Sequence, residues 1–265
     1  VYVKNETLTG MYYDYAMAAP LMADIYNKDS TDILILGMGT GTYATQCKKY
    51  FADKTPTIEG VEIDEKITAL SKKYFNASDD VKVTTYDGRA YLNAVKNTYD
   101  VIMVDAYQDI TIPFQMSSKE FFTLVKEHLK PNGVMVVNMN MRGGGEGNIN
   151  QYLSDTISTV FPEVFTVDVS NSSNRVLFAS DNAKMTQVFD NNLARVTDTS
   201  LYSAMYGVKT NYEKYSPTGK YILTDDKAPV ELLGMKVVDR MISDELSYYK
   251  EIFKKEGLKG LLSSF

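Results

Sequence analysis

An α/β fold with a mostly parallel sheet and helices on both faces is predicted by three observations on this 265-residue chain. An apolar run, Ile33-Leu34-Ile35-Leu36, ends in the loop Gly37-Met38-Gly39-Thr40-Gly41-Thr42. A second run ends in Val61-Glu62-Ile63-Asp64, placing an acid about 25 positions after the first glycine. Two further aspartates, Asp87 in Tyr86-Asp87-Gly88 and Asp105 after Val101-Ile102-Met103-Val104, close later runs. Acids and glycines gathered at strand ends form the layout of an α/β nucleotide site, whose ligands sit at the carboxyl ends of parallel strands.

The elements follow in order. Strands are expected at 33–37, 57–62, 81–86, 101–105, 134–138, 164–169 and 175–179. The first five are short and β-branched, as suits strands covered on both faces. Helical patterns fit 42–50, 65–75, 90–95, 118–129 and 148–160, with Lys130-Pro131-Asn132-Gly133 read as the turn that closes the fourth. The last two strands flank the polar turn 170–174 and read as an antiparallel hairpin. Five parallel strands and a hairpin are the strand sequence of a class I methyltransferase-type, Rossmann-like sheet of seven strands. Residues 1–31 precede that core, 32–181 form it, and 182–265 read as a helical extension, with helices clearest at 184–195 and 235–253. The glycine run 143–147 after the fifth strand reads as a connecting loop near the ligand edge.

Composition narrows the function. Hydrophobic content of 44% and charged content of 23% suit an ordinary globular domain. Lys+Arg of 28 against Asp+Glu of 34 gives a net charge of -6, which argues against nucleic acid as a partner and tilts mildly toward a cationic substrate. Cys47 is the single cysteine, so there is no intrachain disulfide or thiolate metal cluster, and no metal is expected. The single histidine, His128, stands near a helix end, where dipole interaction or solvation is expected rather than catalysis. No apolar run is long enough to span a bilayer and no signal peptide is visible.

Gly37, Gly39 and Gly41 let the backbone turn sharply and approach a ligand. The loop suits a nucleoside without phosphates as well as a dinucleotide. Glu62 is placed to accept from both ribose hydroxyls, which an ionised carboxylate does well. Its other reading is an acid at the start of the next helix, a task for which Asp64 is better placed. Asp87, beside Gly88, reads either as an acceptor for an adenine amino group or as a turn residue. Tyr107 adjoins a strand end and is a candidate for lining the acceptor pocket, although with 20 tyrosines in the chain packing is the ordinary role of any one. Asp225 and Asp226 read as caps of a helix beginning near Ala228.

From about Leu8 to about Asp181 these motifs, in this order, resemble the spermidine synthase (polyamine aminopropyltransferase) family, which shares its core with S-adenosylmethionine methyltransferases. Tyr12-Tyr13-Asp14-Tyr15-Ala16-Met17-Ala18-Ala19-Pro20-Leu21 resembles the family's substrate-side stretch, which implies Tyr12 and Asp14 in the acceptor pocket. Ile112-Pro113-Phe114-Gln115 and the stretch 223–231 are similar to a bacterial branch fused to membrane-spanning segments. That likeness implies a cytosolic domain attached to such a segment, which the start at Val1 without methionine fits.

The family's Asp-Ser-Ser-Asp motif acts on the acceptor amine. Its first aspartate corresponds to Asp105, and its second to Gln108, a departure from the pattern. Thr40 stands where the family's loop has the aspartate that holds the amine of decarboxylated S-adenosylmethionine. The resemblance implies aminopropyl transfer from decarboxylated S-adenosylmethionine, as a co-substrate and not a tightly bound cofactor, to a di- or polyamine. A homodimer is the corresponding expectation. Thr40 leaves open a methyltransferase using S-adenosylmethionine on an amine, and Thr40 with Gln108 leaves open a non-catalytic nucleoside sensor.

Overall fold

The computed structural model describes residues 7–75, 80–107, 112–140 and 145–263. Its elements in chain order are α1 (Tyr12–Ala16), α2 (Ala18–Met22), β1 (Asp32–Leu36), α3 (Thr42–Tyr50), β2 (Thr57–Glu62), α4 (Glu65–Tyr74), β3 (Lys82–Thr85) and α5 (Gly88–Ala94). Then come β4 (Tyr99–Val104), α6 (Lys119–Glu127), β5 (Leu129–Met139), α7 (Ile149–Ser158), β6 (Glu163–Asp168) and β7 (Arg175–Ser180). The chain closes with α8 (Met185–Leu193), α9 (Thr199–Asn211), β8 (Glu213–Lys214) and α10 (Val230–Ser263).

One sheet runs in the order β3-β2-β1-β4-β5-β7-β6-β8. The first five strands in that order are parallel, while β7 runs antiparallel to β5 and β6. β1 lies between β2 and β4, so successive connections leave it toward opposite edges and a crevice opens at the carboxyl ends between them. The pleat sorts β1 and β4 cleanly. Ile33, Ile35, Val101 and Met103 pack with α2, α3 and α8 on one face, and Leu34, Leu36, Ile102 and Val104 pack with α5, α6 and α7 on the other. All eight side chains are at most 2% exposed, which is why these strands read as continuous apolar runs.

Four expectations need correction. The sheet has an eighth strand, the two-residue β8, whose Glu213 and Lys214 pair antiparallel with β6. So short and polar a segment carries no strand periodicity. Lys130–Gly133 does not precede β5 but bulges within it, since the register with β4 jumps from Tyr99↔Leu129 to Val101↔Val134. Pro131 has no N–H to offer the ladder and Asn132 sits at φ 64, so these residues leave the pairing while Leu129 keeps it. His128 caps α6 as expected of its position, but it is buried and its Nδ1 lies 2.7 Å from Asn97 O, so solvation is not its role. Asp225 does not cap a helix: its carboxylate takes a bidentate pair from Arg89 Nη1 and Nη2, each at 2.7 Å, and a hydrogen bond from Ser118 Oγ at 2.5 Å. It ties the chain before α10 to α5 and α6 on the ligand side of the sheet.

α10 is longer than the 235–253 expected. Its first turn buries Val230 and Leu233, whereas Met235, Ile242, Leu246 and Phe253 are exposed. Among the described residues no helix is long and apolar enough to cross a membrane.

Candidate active site

A cavity of about 610 Å³ opens at the carboxyl ends of β1, β2 and β4. The glycine loop forms its floor. Gly37 N and Met38 N both donate to Val61 O at 2.9 Å, and Asp105 N donates to Leu36 O at 2.8 Å, so the loop is tied to both neighbouring strand ends. Gly37 adopts φ 87, and a Cβ there would meet Asp105 O at 2.4 Å and Asp105 C at 2.6 Å. Glycine is needed at 37 because the chain itself passes there, not because a ligand does. Gly39 (φ 55) has nothing within 4 Å of where a Cβ would stand, and Gly41 (φ 90) is the N-cap of α3. Gly39, Thr40 and Thr42 line the cavity.

Glu62 ends β2 with 7% of its surface exposed. Its Oε2 accepts from Gly39 N at 2.7 Å and its Oε1 from Asp64 N at 3.0 Å. These contacts pin the glycine loop and fix the carboxylate plane, while each oxygen keeps a second lone pair for a ligand. Asp64 is the cap of α4, its side chain accepting from Lys66 N at 2.8 Å. Asp87 caps α5 through Oδ1, which accepts from Ala90 N at 2.8 Å, and it also faces the cavity beside Gly88. Both sequence readings of Asp87 are therefore compatible with its place. Between the two acids, Ile63 and Tyr86 stand 71% and 53% exposed, giving the cavity an apolar rim suited to a planar ring.

Asp105, at the end of β4, is held through both oxygens. Tyr12 Oη donates to Oδ2 at 2.7 Å and Asn138 Nδ2 donates to Oδ1 at 2.8 Å. Burial foremost, and the Glu62 charge after it, push its carboxyl up to about 7 against the Asn138 and Tyr12 hydrogen bonds, which pull it down. Some of its surface still faces the cavity. The Tyr12 hydroxyl is itself pushed well above its usual range by burial and by the Asp105 charge, so it stays protonated as a donor. Tyr13 packs against Tyr12 with ring centroids 4.0 Å apart and joins the cavity wall.

The structure thus gathers Tyr12, Thr40, Glu62, Asp87, Gly88, Asp105 and Tyr107 around one cavity. Asp14 stands apart. Its carboxylate accepts from Thr9 N, Gly10 N and Gln46 Nε2, the last two at 2.6 and 2.7 Å, and it does not line this cavity. It fastens the start of α1 to α3 and so carries Tyr12 to Asp105 indirectly. Tyr107 reaches the cavity, but its hydroxyl donates to Asn138 O and accepts from Asn140 N at 2.8 Å, which makes it a brace for β5. Gln108 lies outside the described residues.

The sequence reading missed Asn138 and Asn174. Asn138 sits in an apolar strand, where a polar residue one position before the strand's end is a visible but unspecific signal. Asn174 lies in the β6–β7 turn, which gave no cue of reaching the site.

Comparisons with known proteins give the chain a family and relatives of the same fold. The spermine/spermidine synthase domain family matches residues 11–190. A probable polyamine aminopropyl transferase of Bifidobacterium longum is 51% identical over 99% of this chain, and the chain spans 61% of that protein's length. Two solved structures share the fold. Spermidine synthase from Thermotoga maritima superposes with a TM-score of 0.59 at 19% identity, covering 75% of this chain and 70% of that one. Human methyltransferase-like protein 13, in complex with SAH, also gives 0.59, at 20% identity over 78% of this chain and 96% of that one.

Proposed function

This chain belongs to the spermine/spermidine synthase domain family, and from that premise we propose that it is a polyamine aminopropyltransferase using decarboxylated S-adenosylmethionine. The observation that carries the proposal is the half-enclosed Asp105 carboxylate across one cavity from Glu62 and the glycine loop. The donor's adenosine lies along the loop, its ribose on Glu62 and its adenine toward Asp87 between Ile63 and Tyr86. The acceptor amine lies at Asp105.

In the reaction the amine nitrogen attacks the carbon next to the sulfonium. The carbon–sulfur bond breaks, its electron pair neutralises sulfur as methylthioadenosine, and the surplus ammonium proton passes to Asp105. A free amine has a pKa near 10.4, so a base is needed at neutral pH. A carboxyl tuned to about 7 matches the operating pH far better than an ordinary aspartate. Holding nitrogen and carbon within about 3–3.5 Å supplies much of the acceleration.

Thr40 supports a second reading. A hydroxyl in the loop, unlike a carboxylate, does not repel the carboxylate of S-adenosylmethionine, and an amine methyltransferase would use the same base. Mass spectrometry of reactions offering both sulfonium donors with a panel of di- and polyamines decides between them. Methylthioadenosine with an amine one aminopropyl unit heavier is the expected result. S-adenosylhomocysteine with a methylated amine would replace the proposal by the second reading, and neither product would leave a nucleoside-binding domain.

Glu62→Gln is predicted to weaken adenosine-containing ligands. Losing one charge-assisted hydrogen bond, worth about 1.5–3 kcal/mol, corresponds to about a 10- to 150-fold rise in Kd. Calorimetric titration with methylthioadenosine reads this, and an unchanged Kd would remove the ribose assignment.

A further inference from the structure

The two oxygens of Asp105 are held by unlike partners, and the difference has a direction. Oδ1 accepts from Asn138 Nδ2 at 2.8 Å, and Asn138 Oδ1 accepts from Asn174 Nδ2 at 2.8 Å. Asn174 Oδ1 in turn accepts from Ser172 Oγ at 2.6 Å, and that hydroxyl accepts from Asn174 N at 3.1 Å. The bonds run with one polarity. The Ser172 hydroxyl accepts from Asn174 N and gives its proton to Asn174 Oδ1, so Asn174 presents its NH₂ to Asn138, and Asn138 its own NH₂ to Asp105. An ionised Asp105, which can only accept, holds the same polarity from the other end.

The partner of Oδ2 is of another kind. The Tyr12 hydroxyl is a rotor that donates to an ionised Oδ2 and can turn to accept from a protonated one. A proton placed on Oδ1 would instead turn that oxygen from carbonyl into hydroxyl, the poorer acceptor for an Asn138 N–H that can only donate.

We propose that Ser172, Asn174 and Asn138 form a one-way hydrogen-bond relay from the hairpin turn that orients Asp105 and reserves its Oδ2, beside Tyr12, as the oxygen that receives the substrate proton. The amine N–H bond breaks with its electrons kept by nitrogen, the O–H bond forms on Oδ2, and the Tyr12 hydroxyl rotates from donor to acceptor. Asn138 and Asn174 are thereby positioning residues. Their role rests on Asp105 acting as proposed above.

The relay lowers the cost of ionising Asp105, offsetting its burial and the Glu62 charge. The titratable groups around Asp105 are Tyr12 and Tyr13 of α1, Glu62 at the end of β2, and Tyr107 on its own connection. None of them is altered by a change at Asn174.

The test is Asn174→Leu, branched at the same carbon and unable to donate. Freed from Asn174, the Asn138 amide can turn its oxygen toward Asp105. The Asp105 midpoint, read by carbon-13 NMR titration of its carboxyl, is expected to rise by about one to two pH units. The acid limb of kcat/KM moves up with it, while the Kd for methylthioadenosine stays within about twofold of the parent value. Asn174→Asp, which forces the amide to turn, is expected to shift both further. A midpoint unchanged in Asn174→Leu overturns the relay, and a shift in Asn174→Asp alone shows only the added charge and overturns it as well. If the parent chain transfers no aminopropyl group, the functional proposal fails, yet the NMR midpoint still decides the relay. Should Asn174→Leu fail to fold, Ser172→Ala removes the same polarity signal from the turn. It must raise the midpoint in the same direction, by less, for the relay to stand.

Discussion

Asp105→Asn is expected to lower kcat by about 10²- to 10⁴-fold, the span that a positioned general base supplies, while the Kd for methylthioadenosine stays nearly unchanged. The substitution keeps the shape of the side chain and an acceptor oxygen for either Tyr12 Oη or Asn138 Nδ2. It removes the charge and the ability to take a proton, and it sets an NH₂ where the Tyr12 hydroxyl can turn to accept. The same variant has a stability signature of a definite sign. The folded-state carboxyl of Asp105 lies at about 7, above the ordinary aspartate value of about 3.9. A carboxyl raised in the folded state binds its proton more tightly there. Its favourable contribution is complete below the unfolded value and is lost as pH rises through about 7. The neutral amide escapes that loss, so at pH 8 Asp105→Asn should melt higher than the parent chain and at pH 4 nearly level with it. Thermal melts at the two pH values check this. A drop in melting temperature at both, together with loss of nucleoside binding, would show Asp105 to be structural instead.

The combination of activity loss and alkaline stabilisation follows from putting a carboxylate where solvent is scarce. It also explains which parts of the site were legible beforehand. Asp105 and Glu62 stand at the ends of β4 and β2, and a strand end is a position that apolar periodicity marks directly. The parallel core was legible for the same reason, because strands buried on both faces leave unbroken apolar runs such as 33–36 and 101–104. What escaped depends on contacts between residues far apart in sequence. Asn174 meets Asn138 across 36 positions, and Arg89 meets Asp225 across 136. No local pattern encodes either meeting. Asp14 shows the converse: a carboxylate beside Tyr12 in sequence points instead to Gln46, since α1 presents neighbouring residues to different sides. The β5 bulge escaped because Pro131 and Gly133 punctuate a chain in the same way whether they end a helix or interrupt a strand.

Gly37→Ala should damage fold and function together, and Gly39→Ala should separate them. At Gly37 the φ of 87 already disfavours any side chain, and the added methyl would lie 2.4 Å from Asp105 O, a backbone atom of the central β4 end. Neither partner can yield by rotating a side chain. The loop must lift or β4 must shift, and both carry the Asp105 carboxylate away from Tyr12 and Asn138. Strain at a left-handed non-glycine position costs about 1–3 kcal/mol, and a buried overlap with backbone adds about 1–3 kcal/mol more. A fall in melting temperature of about 4–24 °C follows for a chain of this size, accompanied by loss of both methylthioadenosine binding and turnover. Gly39 also has positive φ, but its Cβ would point into open space, so Gly39→Ala should cost only about 1 kcal/mol of stability. Gly39 also lines the cavity. If the donor lies along the loop as proposed, the methyl of Gly39→Ala intrudes on it, and nucleoside affinity falls although the fold survives. Equal and small effects of the two substitutions would mean that the loop moves freely of β4, and then Gly37 could not couple the donor side of the cavity to the base.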